Sequence, residues 1–222
     1  MITSTLHLQD LIQDIKKIAV PSERKKRLQP LINYVKKTQA EQALTRLNFI
    51  CTHNSRRSQL SQFWAHVFAD HFNINTNCHS GGAEVTSCNI RTISSLERFG
   101  FLVNKKPNHI NEYELNEKKT NHTSKQNDNP SYFVTFHHQL APVHLFSKLF
   151  NHPSSPKEKF AAVMTCSHAE KNCPFLPGNT QNIPLRYEDP KKFDDTRLEE
   201  IKYDERSMQI ASEMCHVFSQ VK

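Results

Sequence analysis

The sequence predicts an α/β fold, a three-layer open sheet of four parallel strands with helices on both faces, preceded by an N-terminal helical extension. Three observations lead there. The apolar pattern changes at residue 47, from helical spacing to short continuous runs. LNFIC at 47–51 and FAAVMTC at 160–166 are such runs, suited to strands buried on both faces. Helical patterns alternate with them, the order of a parallel sheet with crossover helices.

Residues 5–45 read as two or three helices, broken at Pro21, with Pro30 a second candidate break. Leu8, Leu11, Ile12 and Ile15, then Leu28, Leu31, Ile32 and Val35, recur at helical spacing. After LNFIC and the polar THNSRR, a helix places Leu60, Phe63, Trp64, Val67, Phe68 and His71 on one face. This is the first half of a βαβ unit. A second strand is expected over 74–80, ending at a Gly81-Gly82 turn, then a helix over 89–99 with Ile90, Ile93, Leu96 and Phe99 inward. Residues 104–131 are almost wholly polar and read as an exposed excursion. SYFVTF and VHLFSKLF beyond it are candidate edge strands, FAAVMTC a third buried strand and NIPLRY at 182–187 a fourth. A closing amphipathic helix spans 196–218, with Ile201, Met208, Ala211, Met214 and Cys215 among its apolar positions. The domain plan is thus a 1–46 extension and a 47–222 catalytic unit with a polar insertion.

Composition narrows the function. With 222 residues, 36% of them hydrophobic, the chain can bury a core; with 11 Pro, 4 Gly and no repeat, fibrous and solenoid classes drop out. No apolar stretch approaches the length of a membrane span, and acids interrupt the N-terminus where a secretory signal would be apolar. A soluble, cytoplasmic protein with no membrane partner is expected. Net charge is +7, and residues 1–46 hold nine Lys or Arg against four acids, so +5 of it lies there. RKKR at 24–27 makes nucleic acid the first partner to weigh, but lysines opposite an apolar stripe are ordinarily a solvated helix face, which argues against one. The six cysteines read as reduced thiols, and without CxxC or HxxxH spacing they do not read as a zinc site.

The chemistry concentrates where the first strand meets its helix. In an open parallel sheet ligands bind beyond the carboxyl ends of the strands, and Cys51 stands at one such end, followed by THNSRRS. The first N–H groups of the next helix can wrap an oxyanion. Arg57 adds a planar fork for two of its oxygens. The same field favours a thiolate nucleophile at Cys51, and Ser58 is within reach of its sulfur. Most strand-end cysteines are structural, but a polar loop with two arginines between a buried strand and an amphipathic helix argues for a site.

CxxxxxRS in this position resembles the phosphate-binding signature of the low-molecular-weight protein tyrosine phosphatases and of the thioredoxin-coupled arsenate reductases on the same fold. The resemblance covers 47–219 and implies an anion loop of Thr52, His53, Asn54, Ser55, Arg56 and Ser58 around Cys51 and Arg57. It implies that Asp189, in the Asp189-Pro190 pair, is the general acid. Cys166-SHAEKN-Cys173-Pro174 is similar to the reductases' stretch CSxAxxNCP and implies a disulfide relay. Asn54 and Ser80 match residues that tie the loop and help hold a structural potassium ion. Two departures stand out: His53 replaces the usual Gly, which bears on whether the loop forms without strain, and Arg56 replaces a Cys.

The expected function is reduction of arsenate to arsenite through a Cys51 adduct and a Cys166/Cys173 relay, with a thioredoxin-type reductant and no tightly bound cofactor. The alternative is a phosphatase forming a phosphocysteine at Cys51. A third class is a non-catalytic basic anion-binding module. Cys78, Cys88 and Cys215 are read as structural, and the 1–46 extension as dispensable for the chemistry.

Overall fold

The computed structural model describes residues 5–106, 129–172 and 176–221. In chain order its elements are α1 (Thr5–Lys17), α2 (Ser22–Ala40), β1 (Thr45–Cys51), α3 (Arg57–His71), β2 (Thr76–Gly82), α4 (Ile90–Arg98) and β3 (Leu102–Lys106). Then follow β4 (Ser131–Thr135), β5 (Val143–Leu145), β6 (Phe160–Met164), α5 (Ser167–Asn172), β7 (Asn179–Pro184), a 3-10 turn (Pro190–Phe193) and α6 (Glu199–Ser219). The main sheet has four strands in the order β2-β1-β6-β7, all parallel.

Alternation along the central strands sorts their side chains into two layers. Leu47 and Phe49 of β1 with Ala161 and Val163 of β6 join the larger core, which takes in α1, α2, α3, α4 and α6. Ile50 and Cys51 with Phe160, Ala162 and Met164 form the smaller one, closed by Ala169 of α5, Cys166, Leu176 and Phe150. The helices of the N-terminal extension therefore pack on the same core as the α/β unit: Leu8, Ile12, Ile15, Leu28, Leu31, Ile32 and Val35 are all buried in it.

Several expectations shift. Pro30 lies inside α2 and does not break it; an internal Pro costs about 3 kcal/mol, and the flanking Leu28, Leu31 and Val35, fully buried, outweigh that. The second strand runs two residues later than expected, through Gly81 and Gly82, because it must reach Cys51, the register partner of Gly82. The fourth starts earlier, at the polar Asn179, because it is an edge strand paired only to β6. SYFVTF does not extend the main sheet, and VHLFSKLF meets it only near its end, where Leu149 forms a single parallel bridge to Gly82 at the edge of β2. Their β4 and β5 pair with β3 in a separate antiparallel sheet, order β3-β4-β5, whose Tyr132, Val134, Val143 and Leu145 face the larger core. Most of the polar 104–131 excursion, from 107 to 128, lies outside the described residues. Ile90 and Ile201 are each 53% exposed; Ile201 sits about 200° around α6 from buried Tyr203, and Ile90 looks into a cavity beside the site. Among the described residues no helix is long and apolar enough to cross a membrane.

Candidate active site

The end of β1 brings Cys51 to the smaller core, where it is buried. The chain then crosses Thr52 to Arg56 and enters α3, whose first turn has no side-chain cap. Every other anchor of this loop is a carbonyl or a side chain. The His53 carbonyl accepts from Ser147 Oγ at 2.8 Å and Thr86 Oγ1 at 3.3 Å, and the Asn54 carbonyl from Gln59 Nε2 at 2.8 Å. Ser55 is tied through its hydroxyl to the Ser87 carbonyl at 2.7 Å and through its carbonyl to the Asn89 amide at 3.0 Å. Among the described residues no acceptor takes the amides of 52–57. Buried N–H groups are nearly always paired in native proteins, so a row of free ones at an uncapped helix N-terminus is a cradle for an anion.

Asn54 organises this turn. It carries the left-handed conformation, φ 46°, which Asn tolerates and which His53 is spared. The usual Gly is thus not needed at position 53, and His53 instead lies at the rim, Nε2 3.3 Å from Glu84 Oε2. The Asn54 side chain donates to Ser58 Oγ at 2.8 Å and accepts from the Lys148 amide at 3.1 Å. Because Ser58 Oγ accepts from Asn54, its own proton is available to Cys51 Sγ, 3.0 Å away. Gly82 lets β2 approach so closely that a Cβ there would meet the Asn54 nitrogen and Thr52 oxygen, each at 2.8 Å.

Arg57 donates through Nη2 to Asp189 Oδ2 at 2.7 Å and through Nη1 to the Tyr187 carbonyl at 3.2 Å. Its buried Nε has no partner among the described residues, so one edge of the guanidinium is left for a ligand. Arg56 is turned away from the loop: Nε bonds Tyr203 Oη at 2.7 Å and Nη2 bonds Asp194 at 3.3 Å. Its charge is therefore engaged by α6 and the turn before it, and burial followed by the Asp194 bond pushes the Tyr203 phenol up. Asp189 is fixed by Arg57 on one oxygen and by the Lys191 amide, at 3.1 Å, on the other.

Cys166 arrives from the neighbouring strand. Thr165 bonds the Ile50 carbonyl through both its amide, at 2.7 Å, and its hydroxyl, at 2.9 Å. This aligns the ends of β1 and β6. Cys166 Sγ consequently lies 3.5 Å from Thr52 Oγ1 and accepts from the Ala169 amide at 3.3 Å. Cys173 lies outside the described residues. Cys51, Cys78, Cys88, Cys166 and Cys215 are free thiols. Burial pushes Cys88 up to about 12, Cys215 up to about 11 and Cys78 higher still, so these three are held neutral.

Asn54 and Ser80, the residues expected near a potassium ion, both bond within the protein. The Asn54 amide is used at both ends, and Ser80 Oγ bonds Gln62 Oε1 at 2.6 Å. Lys148 follows this loop with its side chain buried and its Nζ 4.3 Å from the Phe146 ring centre, so an internal ammonium already lies in this region. No step below uses an ion at these residues. Sequence reasoning missed Lys148, Tyr187 and Glu213. Only Glu213 leaves a signal, as an acid inside the apolar stripe Ile210, Ala211, Met214, Val217 of α6.

A cysteine at the end of β1, an uncapped turn of CxxxxxRS and an Asp on a late loop, on a four-stranded parallel sheet, are the arrangement that the resemblance to the low-molecular-weight protein tyrosine phosphatases implies. The sequence is similar to arsenate reductases. Over 143 residues, 64% of this chain and 76% of the relative, it is 27% identical to the arsenate reductases of Staphylococcus aureus strains Newman and COL. Over an equal span it is 26% identical to arsenate reductase 2 of Staphylococcus epidermidis. A solved structure of a YwlE mutant from Bacillus subtilis superposes with a TM-score of 0.45 at 12% identity, covering 79% of this chain and 97% of that one. No family model matches the chain.

Proposed function

We propose that the chain is an enzyme that reduces arsenate to arsenite through a Cys51 adduct and a thiol relay. The observation that carries this reading is the second thiol: Cys166 Sγ lies against Thr52 of the anion loop, at 3.5 Å, where a phosphatase has no use for one. The free amides of 52–57 and the unpaired Nε of Arg57 hold the oxyanion. The Cys51 thiolate attacks arsenic, forming a sulfur–arsenic bond, while one arsenic–oxygen bond breaks and Asp189 gives its proton to the oxygen, which leaves as water. The Cys166 thiolate then attacks Cys51 Sγ. A sulfur–sulfur bond forms, the sulfur–arsenic bond breaks, and its electron pair stays on arsenic, which departs as arsenite. The Cys173 thiolate attacks the Cys166 sulfur, frees Cys51 and leaves a Cys166–Cys173 disulfide for a thioredoxin-type dithiol to reduce. Such a cycle needs a reducing thiol pool and therefore works in the cytoplasm.

One observation favours a second reading. A cavity of about 530 Å³ opens beside the loop between His53, Arg56, Lys105, Tyr132 and Lys191, far larger than an arsenate ion, and would suit a bulky phosphate monoester hydrolysed through a phosphocysteine. A side-by-side assay separates the two. Thioredoxin-dependent formation of arsenite, two electrons per ion, is expected; release of phosphate from aryl esters without any arsenite would replace the first reading by the second. If neither occurs, and phosphate fails to protect Cys51 from alkylation, the site is no longer catalytic.

A further inference from the structure

We propose that Arg24, on the N-terminal extension, is a positioning residue that aims Asp189 in the reaction proposed above, and the inference rests on that reading. β7 is an edge strand, and the chain leaving it runs through Leu185, Arg186 and Tyr187 to Asp189. On the inner side this segment is held by β6: the Leu185 amide bonds Met164 O at 2.9 Å and the Tyr187 amide bonds Thr165 O at 3.0 Å. No strand covers its outer side among the described residues. Arg24 does.

The guanidinium of Arg24 reaches across from α2 and donates Nη1 to the Arg186 carbonyl at 2.9 Å, while its Cζ lies over the Tyr187 ring, 4.9 Å from the ring centre. Its other edge forms a fork to the buried Glu213 of α6, Nε to Oε1 at 2.7 Å and Nη2 to Oε2 at 2.6 Å. Tyr187 Oη at 2.9 Å and Gln209 Nε2 at 2.9 Å complete the carboxylate's partners. Glu213 is only 1% exposed, so this arrangement has little room to slide. From the site side, Arg57 holds the same segment at Tyr187 O and at Asp189. The peptide that carries the acid is therefore clamped between two guanidinium groups, one from the anion loop and one from the extension. An acid must lie within hydrogen-bond reach of the leaving oxygen, and loss of the outer clamp lets it drift without touching the anion loop.

The test uses the full chain and compares the parent with Arg24→Met and Arg24→Lys. Arsenite formation and hydrolysis of aryl phosphates of graded leaving-group basicity are measured, with inorganic phosphate as the affinity probe. Misplacement by about 1 Å costs on the order of 100-fold. Arg24→Met is expected to lower kcat by about 10- to 100-fold and to steepen the dependence on leaving-group basicity, while phosphate affinity holds within about twofold. Arg24→Lys, which keeps the charge but not the fork, should restore part of kcat. If the parent turns over neither substrate class, the functional reading falls and this inference with it. An active parent with unchanged kcat and leaving-group dependence in Arg24→Met overturns the inference alone. Should Arg24→Met unfold, Arg24→Met/Glu213→Leu removes both charges together. Loss of phosphate affinity along with turnover in that pair, or its failure to fold, would show a purely structural role and overturn the proposal.

Discussion

Arg57 and Asp189 are partners in the resting site: the guanidinium that faces the oxyanion cradle donates to the acid's Oδ2 at 2.7 Å. Asp189→Asn keeps the shape and removes the proton donor, so turnover is expected to fall by about 10²–10⁴-fold. Phosphate affinity should hold or rise, since a carboxylate no longer competes for Arg57. Steady-state turnover with phosphate as inhibitor measures both.

Ser58 is the donor to the Cys51 sulfur, at 3.0 Å. In Ser58→Ala the thiolate loses that bond, and Asn54 Nδ2 loses its acceptor. Bonds to charged groups contribute about 1.5–3 kcal/mol, so alkylation of Cys51 at neutral pH should slow by about tenfold or more. The rate of iodoacetamide capture, with and without phosphate, checks this.

Gly82→Ala places a Cβ against backbone atoms of Thr52, Asn54 and Glu84, the nearest at 2.7 Å. None of these can rotate away, so the loop itself must shift. Phosphate binding should weaken by about tenfold or more while the far-ultraviolet circular dichroism stays that of the parent.

Cys166→Ser separates the two enzymatic readings. Arsenate turnover should stop, because the adduct on Cys51 is released only by a neighbouring thiolate. Any hydrolysis of phosphate esters should persist. Cys173→Ser should release arsenite once and then hold a Cys51–Cys166 disulfide, seen as the loss of two titratable thiols. Thioredoxin-dependent turnover at the parent rate in both variants would end the relay.

Burial lowers Lys148 from 10.5 to about 8. Below pH 8 the fold must hold a buried ammonium and bears the whole cost, about 3 kcal/mol; between 8 and 10.5 the unfolded chain binds more protons and the cost fades. Lys148→Met should therefore raise Tm at pH 7, with a gain over the parent that shrinks toward pH 10. Comparing parent with variant cancels the buried thiols, which act the opposite way above pH 9. On the acid side, burial and then Lys148 lower His79 to about 4, so its contribution to stability is complete above pH 6.5 and is lost as pH falls toward 4.

The parallel sheet was legible because LNFIC and FAAVM are apolar on both faces, and a following helical period leaves few alternatives. β7 begins with Asn179, Thr180 and Gln181, an edge strand whose polar start carries no such mark. The antiparallel sheet was hidden for a related reason: β3 is LVNKK, with Leu102 44% exposed, and its pairing to β4 is set by tertiary contact. At the site, CxxxxxRS located Cys51, Arg57 and Ser58 by spacing alone. The course of Arg56 toward Tyr203 could not be read, because it depends on where α6 passes.

The pairing of Lys106 with Ser131 is the last of the β3–β4 ladder. Because Lys105 and Pro130, the neighbours of that pair, both line the cavity beside the Cys51 loop, a dye attached at position 105 would sense what enters the site while leaving the chemistry to run unlabelled.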